Sequence, residues 1–323
     1  MKNTIIFTIL LLALGCTTFN SNNDSQKAIL VVHGGAGSLT TDQMSDSLQR
    51  AVEDKIAEAL LAGRKHLTEG GNSLEAVKIA VNILEDSPLF NAGKGAVFTH
   101  EGTHELDASI MDGQTGQAGA VAGVKNLKNP IDAALAVMEH SKHVLLSGRG
   151  AETFAVNRGL DTVSQDYFFT QKNFERHQKG LRQADEKYGT VGAVAIDLEG
   201  NIAAGTSTGG MTNKRYGRLG DVPIIGAGTY AENGVCGISS TGHGEYFIRN
   251  VVAYDIAARI KYGKHSLSEA ANKVIMQKLK KIGGAGGIIG LDADKNVVMP
   301  FNTNAMPRGY IDANGEPVVL INP

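Results

Sequence analysis

Residues 190–208 constrain the fold more than any other stretch. Val191-Gly192-Ala193-Val194-Ala195-Ile196 reads as a strand, Asp197-Leu198-Glu199-Gly200-Asn201 has turn chemistry, and Ile202-Ala203-Ala204-Gly205-Thr206-Ser207-Thr208 reads as the returning strand. A turn centred on Glu199, in a ladder without a bulge, sets Thr190 opposite Thr208 with Cβ atoms about 5 Å apart. Gly286 to Val297 repeats the pattern of strand, polar turn and strand. Further strands are expected at Ala28–Val32, Ala96–Phe98, Glu105–Met111, Gln117–Val124, Ile224–Tyr230 and Val235–Ser240, with Asp112-Gly113 as a hairpin turn.

Helical spacing links Leu48, Val52, Ile56, Ala59, Leu60 and Leu67, and again Leu74, Val77, Val81 and Leu84 behind Ser73 as N-cap, with Pro88 as the stop. More helix is expected at Pro130–Ser141, Glu245–Gly263 and Ser266–Lys281. Helix pairs alternating with antiparallel hairpins predict an α+β fold with two sheets between helix layers, because the order does not suit a regular parallel α/β sheet. Gly159 to Tyr188 is polar, charged and weakly periodic, and reads as an exposed, mobile approach to Thr190.

A threonine at the head of a strand, directly after Gly189, is chemically suggestive. Were the Gly189-Thr190 bond cut, one residue would carry a nucleophilic hydroxyl and an α-amine whose unperturbed pKa of roughly 8 suits a general base. The bland alternative is that Thr190 and Thr208 are ordinary β-branched strand residues.

The chain has 323 residues, 42% hydrophobic and 20% charged, enough for a sizeable core of one or two domains. A net charge of −2 and the lack of a long basic run give no electrostatic footprint for nucleic acid. His33, His104 and His243 lack zinc-ligand spacing, and the Gly-rich runs at His33–Gly37 and Gly283–Gly287 match neither a P-loop nor a dinucleotide fingerprint. Asp107 and Asp112, on a strand and its turn, read as structural hydrogen-bonding groups. Lys2, the apolar run Ile5–Leu14 and the polar Thr17–Lys27 read as an export leader and tether, the run being short for a membrane span. Leu12-Ala13-Leu14-Gly15-Cys16 resembles a bacterial lipoprotein signal with Cys16 as the lipidated residue, although Ala13 departs from the usual leucine. An ordinary secretory signal cut elsewhere is the other reading. Cys236 is the one other cysteine and is expected in the core.

Several motifs occur in order: His33-Gly34-Gly35-Ala36-Gly37, Leu89-Phe90-Asn91-Ala92-Gly93, His104-Glu105-Leu106-Asp107-Ala108 with Met111-Asp112-Gly113, Thr208-Gly209-Gly210-Met211-Thr212-Asn213-Lys214, Gly217-Arg218-Leu219-Gly220-Asp221 and Ser240-Thr241-Gly242-His243-Gly244-Glu245. Together they resemble the plant-type asparaginase and isoaspartyl peptidase family of N-terminal nucleophile hydrolases, over Ala28 to about Asn304. The resemblance implies a four-layer αββα sandwich that cuts itself into an α chain (28–189) and a β chain (190–323), following a leader (1–16) and tether (17–27). It implies Thr190 as nucleophile, Thr208 as a second active-site threonine, and Thr241 hydroxyl with Gly242 N–H as oxyanion hole. Arg218 matches the group that grips a substrate α-carboxylate, Asp221 with the Gly244 carbonyl the α-ammonium partner, and Asn91 a support for the nucleophile. From the residues alone, Arg218 and Asp221 also admit a surface ion pair.

A structural sodium ion is implied on the main-chain carbonyls of Leu84, Glu85, Ser87, Phe90, Ala92 and Lys94, with no organic cofactor. The expected substrates are L-asparagine and β-aspartyl dipeptides, the expected assembly a homodimer of αβ units, and the expected location outside the cytoplasm, periplasmic or lipid-anchored to a bacterial membrane. Two competing readings are glycosylasparaginase, which usually has aspartate where this chain has Gly189, and a non-catalytic surface lipoprotein that keeps the fold for binding.

Overall fold

Both strands of the 191–208 hairpin are buried on their two faces, which explains their nearly continuous apolar character. The computed structural model describes residues 29–37, 42, 44–180, 189–312 and 314–323. The expected leader, the tether and Cys16 lie outside the described residues, as do 181–188 just before the hairpin.

Strand β1 (Ile29–His33) leads into helices α1 (Asp46–Thr68) and α2 (Ser73–Glu85), then the hairpin β2 (Leu106–Asp112) and β3 (Ala118–Val124). Next come α3 (Pro130–His140), β4 (Leu145–Ser147), α4 (Gly148–Asn157) and α5 (Gln171–Gly180). Strands β5 (Val191–Ile196), β6 (Ile202–Thr208), β7 (Thr229–Glu232) and β8 (Cys236–Gly242) precede α6 (Gly244–Asn250), α7 (Val252–Lys261) and α8 (Leu267–Asn272). The chain ends with β9 (Gly286–Asp292), β10 (Val297–Val298), β11 (Arg308–Ile311) and β12 (Pro317–Leu320).

These strands make two sheets, an eight-stranded one ordered β12-β11-β1-β5-β6-β2-β3-β4 and a four-stranded one ordered β10-β9-β8-β7. In the large sheet β1 is antiparallel to both neighbours, β11 and β5. The expected αββα layering follows from three apolar groups. Val191, Ala193 and Ala195 face helices α1 to α3, meeting Ile56, Leu60, Val77, Val81 and Ile131. Val194 and Ile196, on the opposite face of β5, pack with Ala231, Ile289 and Leu291 of the small sheet. Beyond that sheet, Ile238 and Ile288 meet Ile256, Leu267 and Val274 from the second helix layer. The sheets approach so closely that a Cβ on Gly237 would lie 2.5 Å from Val194 Cγ1. Cys236 is buried in the core as expected.

A file of hydroxyls crosses this otherwise apolar interior. His33 Nε2 lies 3.0 Å from Ser239 Oγ, which is 2.7 Å from Thr206 Oγ1; Thr206 is 2.6 Å from Thr229 Oγ1. Ser109 Oγ lies 2.8 Å from Thr229 Oγ1 and 2.6 Å from the Val222 carbonyl oxygen, to which it donates. All five side chains are buried, and they tie β1, β8, β6, β7 and β2 together.

Several expectations are corrected. Ala96–Phe98 is not a strand: it follows a 3-10 turn at Gly93–Gly95, and its backbone is satisfied by Asn91 Oδ1, accepting from Val97 N, and by Asn213 N, donating to Phe98 O. The stretch from Gly159 is not simply exposed: it holds a 3-10 turn at Gln165–Phe168 and then α5. Phe168 and His177 are buried there against His104 and Phe98. The expected Glu245–Gly263 helix is broken at Val251, which takes the left-handed conformation (φ 47°). Asn72, not Ser73, caps α2, accepting from Glu75 N at 2.8 Å. Ser266 caps α8 in a capping box with Glu269, but the turns widen to a π-helix over Lys273–Leu279.

Candidate active site

The hairpin register pairs Val191 with Ser207, so Thr190 stands opposite Thr208. Their hydroxyl oxygens are 3.1 Å apart. The Gly189 carbonyl oxygen is the focus of the site. Thr190 Oγ1 donates to it at 2.6 Å, Thr208 Oγ1 at 2.9 Å and Asn91 Nδ2 at 2.9 Å. Asn91 also donates to the Gly210 carbonyl at 2.6 Å and accepts from Val97 N, so its amide is fixed from three sides. A carbonyl aimed at by several donors is polarised toward nucleophilic attack.

Gly35 packs against Thr190 from β1's end. It has φ 103°, and a Cβ there would lie 2.7 Å from Thr190 N. Only glycine suits that position. Ala36 N donates to Thr241 Oγ1 at 3.0 Å, which ties the β8 threonine to the same loop. Gly242 has φ 149°, and a Cβ there would meet Ala285 O at 2.5 Å. With Gly35, Asn91 and Gly189 it lines a cavity of about 440 Å³, whose walls include Leu48, Val52 and Leu89. Burial lowers the His33 pKa from 6.5 to about 3, so its ring is neutral beside the Thr190 backbone.

Arg218, Asp221 and Gly244 form a second cluster. A Cβ on Gly244 would lie 2.9 Å from both Arg218 Nη2 and Asp221 Oδ1. Asp221 is buried, its Oδ2 has no hydrogen-bond partner, and burial raises its pKa from 3.8 to about 7. Arg218 and Asp221 are therefore not a surface ion pair. Arg218 instead donates to Glu245, Nε to Oε1 at 2.9 Å and Nη2 to Oε2 at 2.8 Å. Asp107, opposite Thr208 on β2, accepts from Gly123 N at 2.8 Å, and Asp112 accepts from Gln114 N and from the Thr115 hydroxyl. Asp112 is thus a structural hydrogen-bonding group within its turn, whereas Asp107 bonds across to β3 through Oδ1 and its buried Oδ2 has no hydrogen-bond partner. Lys214 is buried and donates to the Glu105 carbonyl.

Asparaginase is the family whose model matches the chain, over residues 26–321. The chain belongs to the asparaginase family. Among its relatives, the isoaspartyl peptidase of Escherichia coli K12 is 48% identical over 91% of this chain and 96% of its own length. The isoaspartyl peptidase of Salmonella typhimurium is 47% identical over 91% and 98%. An isoaspartyl peptidase/L-asparaginase of Xenopus laevis is 42% identical over 87% and 91%.

Within this asparaginase fold, Gly189, Thr190, Thr208 and Asn91 are joined by direct hydrogen bonds. Gly242 lines the cavity, Thr241 before it accepts from Ala36 N of the cavity wall, and Arg218, Asp221 and Gly244 cluster separately. Sequence reasoning missed Glu245 as a partner of Arg218, and it missed the link from His33 to Ser239. Glu245 was visible as the last residue of a quoted motif, but nothing in its spacing pairs it with Arg218.

Proposed function

We propose that the chain is the precursor of a threonine-nucleophile amidohydrolase that acts on β-aspartyl dipeptides and on the side-chain amide of L-asparagine. The observation that carries this reading is the Gly189 carbonyl held by Asn91 and Thr208 within reach of the Thr190 hydroxyl. Attack of Thr190 Oγ on that carbonyl carbon breaks the Gly189–Thr190 C–N bond and forms an ester, the nitrogen taking up the proton. Water then hydrolyses the ester, leaving a carboxylate on Gly189 and a free amine on Thr190. During attack the negative charge on the Gly189 oxygen is met by Asn91 N–H and Thr208 O–H.

The liberated amine accepts the Thr190 hydroxyl proton, directly or through a water, as the oxygen attacks the substrate amide. Thr241 O–H and Gly242 N–H stabilise the tetrahedral oxyanion. The substrate nitrogen takes that proton from the Thr190 ammonium and leaves as an amine or ammonia, and water then releases aspartate from the acyl-enzyme. Arg218 binds the α-carboxylate. Asp221 receives the α-ammonium with the Gly244 carbonyl, and its unpartnered buried Oδ2 supports that role. The names of the relatives favour this reading over glycosylasparaginase.

Residues 84–94 would hold a sodium ion through the carbonyls of Leu84, Glu85, Ser87, Phe90, Ala92 and Lys94. The turn curls tightly: Gly93 lies against the Glu85 carbonyl and Gly95 against that of Phe90, where a Cβ would have no room. Such an ion adds no chemistry to the reaction; it would fix the turn that carries Asn91. Pairing of two αβ units, export through the leader and lipidation of Cys16 complete the proposal. Among the described residues no helix is long and apolar enough to cross a membrane.

Intact mass of purified wild-type protein and of Thr190→Ala tests the core claim. Wild type yields two fragments meeting at 189/190, and Thr190→Ala stays whole and inactive. Cleavage of Thr190→Ala at the same bond would refute the mechanism, whereas an uncut and inactive wild type would favour a binding module. Incubating wild type with a β-aspartyl dipeptide and with a glycosylated asparagine separates the two enzymatic readings.

A further inference from the structure

Arg218 already has a carboxylate partner in the protein itself. Glu245 takes the side edge of the guanidinium, Nε and Nη2, in a bidentate pair at 2.9 and 2.8 Å. Two-point pairing fixes the plane of the fork as well as its position. The end edge, Nη1 with Nη2, borders two glycines. A Cβ at Gly220 would lie 3.1 Å from Nη1, and one at Gly244 would lie 2.9 Å from Nη2. Both flanking positions lack the side chain that would crowd the end edge, while the side edge is filled by Glu245. Glu245 is in the first turn of α6, directly after Gly244, and its side chain is 43% exposed against 16% for Arg218. It is thus the more exposed partner of the arginine, while Asp221 lies buried.

We propose that Glu245 is a positioning residue for substrate recognition: it pins Arg218 by the side edge so that the end edge accepts the substrate α-carboxylate beside Asp221. This rests on the reading of Arg218 and Asp221 as the head-group site. Glu245 touches no reacting atom, so its effect falls on binding. It also balances the charge of Arg218. A carboxylate is then recognised by the geometry of the fork more than by net charge, which favours ligands that carry their own ammonium for Asp221.

The test uses the mature enzyme as Glu245→Ala, Glu245→Gln and Arg218→Ala, with inhibition constants for L-aspartate and for 3-aminopropanoate, which is aspartate without its α-carboxylate. In Glu245→Ala the KM for L-asparagine and the aspartate inhibition constant rise about tenfold, the loss of one charge-assisted contact. Under the same change kcat moves less than about threefold, since no contact special to the transition state is lost. The inhibition constant for 3-aminopropanoate is unchanged. Glu245→Gln keeps the volume and one acceptor oxygen, so it falls between wild type and Glu245→Ala and guards against a folding defect. If Arg218→Ala weakens aspartate while both Glu245 variants bind it as wild type does, the inference is overturned and the head-group site survives. If the Glu245 variants weaken both inhibitors equally, Glu245 has only a structural role and the inference is again overturned. If Arg218→Ala leaves aspartate binding untouched, the head-group reading fails and the inference fails with it.

Discussion

Asn91 donates to two carbonyls while its own oxygen is held by Val97 N, so the side chain has no freedom to be replaced by a shorter one. Losing a donor from a developing oxyanion slows reaction by about a hundredfold or more. Asn91→Ala should therefore retard self-cleavage by that order, read from the disappearance of the uncut mass with time. Asp221 gives a pH prediction. Its buried carboxyl keeps its proton up to about 7 in the empty site, against 3.8 ordinarily. Between those values the native state binds more protons than the unfolded chain, so stability is full below the lower value and is lost as pH rises through about 7. The melting temperature of the substrate-free protein should fall across that window, and Asp221→Asn should flatten the fall. Pairing with an α-ammonium needs the ionised form, so kcat/KM should climb through about pH 7 on that account. At this scale Thr190 and Thr208 were legible because a symmetric hairpin fixes who faces whom. Glu245 was not, since a charge gains its partner only when α6 and the loop before β7 are folded together.

Elements were readable where both faces are buried or one face is periodic. The strands β5, β6 and β9 and the helices α1 and α2 follow such patterns, whereas α5, with the charged sequence Gln171–Gly180, shows only a narrow buried edge of Asn173, His177 and Gly180. Helical spacing continues through Val251, so the break there leaves no mark in the sequence. That break is strained, because a β-branched residue in the left-handed region costs about 1–2 kcal/mol. Val251 is 44% exposed, so little burial is lost on truncation. Val251→Gly should raise the urea midpoint by the equivalent of about 1 kcal/mol, less the extra entropy of glycine in the unfolded chain. The hydroxyl file makes the opposite prediction. Thr206→Val keeps the shape but leaves Ser239 and Thr229 each short of a partner in an apolar layer. A loss of about 1–3 kcal/mol is expected by chemical denaturation, with Thr153→Val on the exposed face of α4 as a neutral comparison.

Two sheets between helix layers were inferable from the number of hairpins and helix pairs, but the neighbours of β1 were not. Its partners β5 and β11 are far away in sequence, and no local pattern records such pairing. That placement governs what the proposed cut between Gly189 and Thr190 would do. Every strand up to β4 would belong to the amino-terminal fragment, and β5 onward to the other. β1 would then be a slat of one fragment wedged between two slats of its counterpart. Nicked protein should run as one species in gel filtration and melt in one transition. Once separated in denaturant, the halves should reassemble at a rate set by the concentration of both. A scissor cut that frees the amine therefore changes connectivity without loosening the architecture, and the two pieces stay interlaced until the whole sheet is undone.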